Sequence, residues 1–161
     1  MVQYHGLGHG HLLPRGLLMR PQLNSDTLGG RLVSRTSFIN VDLDVYSARP
    51  LRLLADAMEG ANAVALHCGR IAPGRYRASF ELGRSPRSAD AAIRGLARLI
   101  DGLPPPARRL WDSATLRDFA VGINAGNKPF SYTSAVKPST VAMVSKLCAQ
   151  ISYVIYAHQT E

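Results

Sequence analysis

The chain of 161 residues carries 19 lysines and arginines against 11 aspartates and glutamates, a formal charge of +8, with 46% hydrophobic and 19% charged residues. That length and apolar content suit one domain able to bury a core without metal or disulfide support. They exclude a membrane span, since no stretch approaches the roughly 18 apolar residues that a spanning helix needs.

Residues 1–36 hold four arginines, one acidic residue, many glycines and two prolines, with no sustained period of 2 or 3.6. This segment reads as a disordered or loosely attached tail. His5, His9 and His11 offer imidazoles to a metal ion, but no Cys or carboxylate stands at matching spacing, so they read as incidental. A signal peptide does not fit, because Pro14 and Arg15 break the apolar run, and a targeting presequence lacks its amphipathic stretch. Val33 can be encoded by an alternative start codon, so a functional chain beginning near it is a further expectation.

The domain is expected over residues 37–161. In "SFINVDLDVYS" the alternation predicts a strand over 38–46, with Ile39, Val41, Leu43 and Val45 buried and Asn40, Asp42 and Asp44 opposite. Ser47 is expected to cap a helix, "ARPLRLLADAMEG", with Pro50 in its first turn, Gly60 as terminator, and Leu51, Leu54, Ala55 and Met58 as its apolar stripe. A hairpin follows, "NAVALHC" and "RYRASFEL", joined through Pro73-Gly74. Its second strand turns Tyr76, Ala78, Phe80 and Leu82 inward, against Arg75, Arg77, Ser79 and Glu81.

"SADAAIRGLARLIDGL" predicts the clearest helix, capped by Ser88, with Asp90 at its positive end and Ile93, Leu96, Ala97 and Ile100 at helical spacing. "PPPARRLWDSA" predicts a rigid corner with one helical turn, anchored in the core by Trp111. "LRDFAVGINA" reads as a strand presenting Phe119, Val121 and Ile123. After the turn "AGNKP", "FSYTSAV" reads as extended, Pro138 opens a helix carrying Val141, Val144, Leu147 and Cys148, and "QISYVIYAH" closes the chain as a β-prone strand. The order β-α-β-β-α-β-β-α-β contains a ferredoxin-like β-α-β-β-α-β core extended by a further β-α-β. The expected fold is α+β, a mostly antiparallel sheet with its helices on one face.

The C-terminal text "FSYTSAVKPSTVAMVSKLCAQISYVIYAH" resembles the ending of a bacterial domain-of-unknown-function family, number 4279: an extended segment, a Pro-started helix and a final strand closing on Ile155-Tyr156. In this chain Cys148 occupies the place of a helix-ending Gly, and Lys137 that of a capping Ser before Pro138. The resemblance implies an α+β fold and no established activity, so it carries over no functional residue.

Asp42 and Asp44, two apart on one strand face, have the form of paired carboxylates that chelate a divalent ion. Asp112 or Asp118 is available as a third carboxylate, but no Gly-rich phosphate loop follows a strand. The plainer expectation is the wet face of an antiparallel strand, with the aspartates pairing to Arg75 or Arg77 across strands if that face meets another subunit. His67 and Cys68 are neighbours on a strand and point to opposite faces, which forbids a base–nucleophile dyad; Cys148 with His67 remains as a distant pairing. No G-x-S-x-G elbow is present.

The basic balance permits nucleic acid, an acidic protein or an anionic membrane as partner. Its arginines are scattered, however, without the cationic block or interleaved aromatics of a nucleic-acid groove. Phe80, Phe130, Tyr132, Tyr153 and Tyr156 are the residues a stacking platform would use. Cys68 and Cys148, each in an apolar run, read as buried free thiols of a cytoplasmic protein. The leading expectation is a non-enzymatic module, without cofactor, that works through a protein contact, including self-association over an open sheet face or edge. Two alternatives stand beside it: an RNA or DNA binder using Arg75 and Arg77, and a divalent-metal enzyme using Asp42 and Asp44.

Overall fold

The structure, a computed structural model, describes residues 27–28, 31–32, 34–84 and 86–157. Two short strands, β1 (Thr27–Leu28) and β2 (Arg31–Leu32), pair antiparallel with each other. The body runs β3 (Ser37–Ser47), α1 (Arg52–Gly60), β4 (Ala63–Ala72), β5 (Arg75–Leu82), α2 (Ala89–Asp101), α3 (Pro105–Asp112), β6 (Leu116–Asn124), α4 (Pro138–Lys146) and β7 (Gln150–Tyr156). The five long strands form one sheet in the order β4-β5-β3-β6-β7. Every pairing in it is antiparallel except β6 with β7. The protein is α+β with a mostly antiparallel sheet, as the alternation and helical spacing predict.

One face of the sheet makes the core. Val41, Leu43 and Val45 of β3, Ala78 and Phe80 of β5, and Phe119 and Val121 of β6 lie in one buried cluster with residues of all four helices, among them Met58, Ile93, Trp111 and Val144. Burying side chains of this size contributes roughly 1.5–3 kcal/mol each, which is why the alternation on β3 fixes which side faces the helices. Ser88 caps α2 as expected, its hydroxyl accepting from the Ala91 N–H at 3.3 Å. Trp111 is 1% exposed, with the Arg117 guanidinium 5.6 Å from its ring centroid.

The structure departs from the sequence reading in five places. A bulge between Phe38 and Val41 breaks the alternation: Phe38 pairs with Ile123 and meets the core, while Ile39 is 41% exposed. Ser47 belongs to β3 and accepts from the Arg49 N–H at 3.0 Å, so it caps no helix. Pro50 disfavours helical geometry at Arg49, and α1 begins only at Arg52. The Pro-rich corner is a helix of 8 residues rather than one turn, since Pro105 and Pro106 fall in its first turn where no N–H is needed. Phe130–Val136 joins no sheet: the place beside β6 is taken by β7.

Fifth, attachment to the body begins before residue 37. The Thr36 N–H donates to Lys128 O at 2.7 Å, the Asn127 N–H to Ser34 O at 2.9 Å, and the Gly126 N–H to the Thr36 hydroxyl at 3.0 Å. A Cβ at Gly126 would collide with the backbone of residues 34–36. The tail reading of residues 1–26, the imidazoles of His5, His9 and His11, and the start near Val33 lie outside the described residues.

Candidate functional site

The side of the sheet turned away from the helices gathers carboxylates. Asp42 and Asp44 alternate with the buried Val41, Leu43 and Val45, so both stand on this open face. Asp118 of β6 lies directly opposite Asp44, and Glu81 of β5 reaches the Asn40 amide at 3.5 Å. Four of the chain's 11 acidic residues therefore share one face of a molecule whose formal charge is +8. One guanidinium balances part of this: Arg77 holds Asp44 through both carboxylate oxygens, Nε donating to Oδ1 at 3.2 Å and Nη2 to Oδ2 at 3.1 Å. That bidentate geometry is the strong form of the contact. Burial works to lower the Arg77 pKa, but the hydrogen bond and charge of Asp44 outweigh it and raise it.

Asp42 is left without such a partner. It accepts one hydrogen bond from the Asn40 amide at 2.8 Å. Burial first, then the charges of Asp44 and Glu81, push its pKa from 3.8 to about 6, with Arg77 opposing. Asp118 accepts from the Ser152 hydroxyl at 2.8 Å through Oδ2, while its Oδ1 is buried with no hydrogen-bond partner.

Among the described residues no group of three or more His, Cys, Asp or Glu side chains is arranged to hold a metal ion. Asp112 ends α3 and pairs with Arg108 on the same helix, so it joins neither Asp42 nor Asp44. Two concavities lie beside the sheet. One of about 130 Å³ includes Asn40, Val64, Glu81 and Pro86, and one of about 490 Å³ includes Tyr46, Arg75, Tyr76 and Thr115; Asp42 and Asp44 line neither.

The other residues singled out from the sequence are dispersed. His67 pairs with Ser79 on the open side and Cys68 with Ala78 on the helix side, as strand alternation requires. Burial pushes the Cys68 thiol up, away from nucleophilic use. Cys148 is exposed rather than buried, with φ of +52°, the left-handed conformation that glycine favours. The five aromatics share no platform: Phe80 is fully buried in the core, Phe130 and Tyr132 stand exposed between β6 and α4, and Tyr153 and Tyr156 take opposite faces of β7. Arg75 is exposed beside the β4–β5 turn, whereas Arg77 is engaged by Asp44.

The two edges of the sheet differ in a way the residues alone do not announce. β4 carries register shifts at Ala65/His67 and Arg70/Ala72, together with the charge of Arg70 and the gap of Gly69. Bulges and charges of this kind are how an edge is kept from pairing with another chain. β7, "QISYVIY", holds no charge, proline or register shift over its 7 residues. Tyr153, Val154, Ile155 and Tyr156 are 50, 40, 68 and 39% exposed. Tyr156 O accepts from the Ala125 N–H at 2.9 Å, so the main-chain groups of Tyr156 point toward β6. Alternation then turns those of Ile151, Tyr153 and Ile155 outward, where no described strand meets them. The sequence shows this strand to be uncharged, but it reads equally as a buried interior strand.

Searches of protein-family models, curated proteins and solved structures found no significant match to this chain. Among the described residues no helix is long and apolar enough to cross a membrane.

Proposed function

We propose that the chain is a ferredoxin-like β-α-β-β-α-β domain extended by α4 and β7, and that it serves as a non-enzymatic protein-interaction module whose β7 edge receives a further strand. The core assignment is supported by the order β4-β5-β3-β6, in which each of the two β-α-β halves leaves a gap that a strand of the other fills. The interaction reading is carried by one observation: an uncharged, unbulged 7-residue strand is exposed at one edge, while the opposite edge has bulges and a charge. Strand addition of this kind draws affinity from main-chain hydrogen bonds and selectivity from alternate side chains. Membership of family 4279 is proposed on residues 130–157 and assigns no activity. A cytoplasmic location is proposed on the free Cys68 and Cys148.

The test is a titration of the protein with a synthetic peptide of the β7 sequence, followed by amide hydrogen exchange. Slowed exchange confined to the outward N–H groups of Ile151, Tyr153 and Ile155 is the expected result. Exchange at these three unchanged at saturating peptide refutes the edge as a receptor.

A further inference from the structure

We infer that the strand received by β7 is β7 of a second copy of this chain, paired antiparallel about a two-fold axis that passes beside Tyr153. The inference rests on the edge reading above and names its partner.

Tyr153 is the middle residue of Gln150–Tyr156. An antiparallel pair centred there sets Tyr153 against its own equivalent, Ile151 against Ile155, and Ser152 against Val154. Ile151, Tyr153 and Ile155 are the residues whose N–H and C=O groups point away from β6, since Tyr156 O is bonded to the Ala125 N–H. In this register each of them meets another outward residue, and such a pair exchanges both of its main-chain hydrogen bonds. A register shifted by one residue sets outward groups against inward ones and loses them. The side chains agree with the backbone: on the helix side an Ile-Tyr-Ile row meets the same row reversed, and no charge or proline interrupts it.

The other surfaces suit a second copy less well. A two-fold contact through the open face sets Asp42, Asp44, Glu81 and Asp118 against the same four carboxylates. The β4 edge carries its two register shifts and Arg70. An isologous contact needs a patch complementary to itself, and β7 is such a patch. The +8 charge of each copy opposes approach at long range. Salt therefore strengthens this association, the reverse of what phosphate contacts show.

The experiment combines sedimentation with site-directed crosslinking, in a background of Cys68→Ala and Cys148→Ser. Ser152→Cys and Val154→Cys proteins are oxidised with oxidised glutathione, separately and mixed. Opposed residues in a non-hydrogen-bonded antiparallel pair lie about 4.5 Å apart at Cα, within disulfide reach, whereas each residue and its own equivalent are too distant. A disulfide-linked dimer in the mixture and not in either protein alone is expected. The unsubstituted protein should pass from monomer to dimer with concentration, more readily as salt rises from about 0.1 M to about 1 M and the screening length falls from about 10 Å to about 3 Å. Crosslinking of Ser152→Cys with itself means a different register or parallel pairing and overturns the inference. A dimer without the mixed crosslink places the contact elsewhere and also overturns it. A monomer at every concentration, with Ile151, Tyr153 and Ile155 still protected by the strand peptide, overturns the second copy as partner while the edge remains a receptor. If protection also fails, both fall.

Discussion

Replacing Asp42 by Asn should stabilise the protein by an amount that depends on pH in a defined way. The folded pKa of Asp42 is raised from 3.8 to about 6, chiefly by burial and then by Asp44 and Glu81. A raised acid pKa means that the native state holds the proton more tightly than the unfolded chain between these two values. Stability therefore falls as pH rises through that window, and the full penalty stands above about 6. At about 1.4 kcal/mol per tenfold change in proton affinity the shift corresponds to about 3 kcal/mol. The carboxylate keeps partial contact with water, and screening reduces this to about 1–2 kcal/mol. The amide introduced by Asp42→Asn would retain the Oδ1 acceptor for Asn40 and carry no charge. Urea unfolding of both proteins should give a difference near zero at about pH 3.5 that grows to about 1–2 kcal/mol by about pH 8. A difference independent of pH, or a variant less stable at pH 8, would refute the crowding of charge on the open face.

Asp90→Ala removes the acceptor of the Lys137 N–H, at 3.0 Å, and of the Thr140 hydroxyl, at 2.7 Å, which tie α2 to the start of α4. Thermal unfolding should show a loss of about 2–4 kcal/mol, because Thr140 is fully buried and its donor is left unpaired. The hydrogen bond from Thr140, then that from Lys137, holds the Asp90 pKa below its ordinary value, so its contribution is present above 3.8 and lost as pH falls through the lower folded value. An acid titration of native protein against Asp90→Asn measures this. Cys148→Gly should add about 0.5–1 kcal/mol in urea unfolding, because a side chain at φ of +52° is strained there. Gly126→Ala should cost about 1–3 kcal/mol and expose residues 34–36 to proteolysis, since its Cβ would strike their backbone.

Local periodicity made much of the core legible. Val41, Leu43 and Val45, the Ser88-capped α2 and the Trp111 anchor all follow from spacing and capping chemistry that act within a few residues. Ile39 escaped because a bulge is a two-strand property, created by the pairing of Phe38 with Ile123 and of Val41 with Val121. Asp42 and Asp44 were readable as one wet face. Which groups surround them depends on cross-strand register, which brings in Arg77, Glu81 and Asp118 and leaves Asp112 on its helix. "FSYTSAV" and "QISYVIY" have similar β-forming text, yet only the second found a strand to pair with, at β6. That β7 then lies at an edge is decided by topology, so its exposure could not be read from its residues.

The most direct measurement compares one lysine at each edge of the sheet: Ile155→Lys on β7, where the side chain is 68% exposed, and Leu66→Lys on β4, where it is 38% exposed. Both side chains are exposed in the fold, and sedimentation over a concentration series reads the association. Loss of the dimer in Ile155→Lys, with Leu66→Lys associating like the native chain, is the predicted result. Association unchanged by Ile155→Lys but abolished by Leu66→Lys would contradict it.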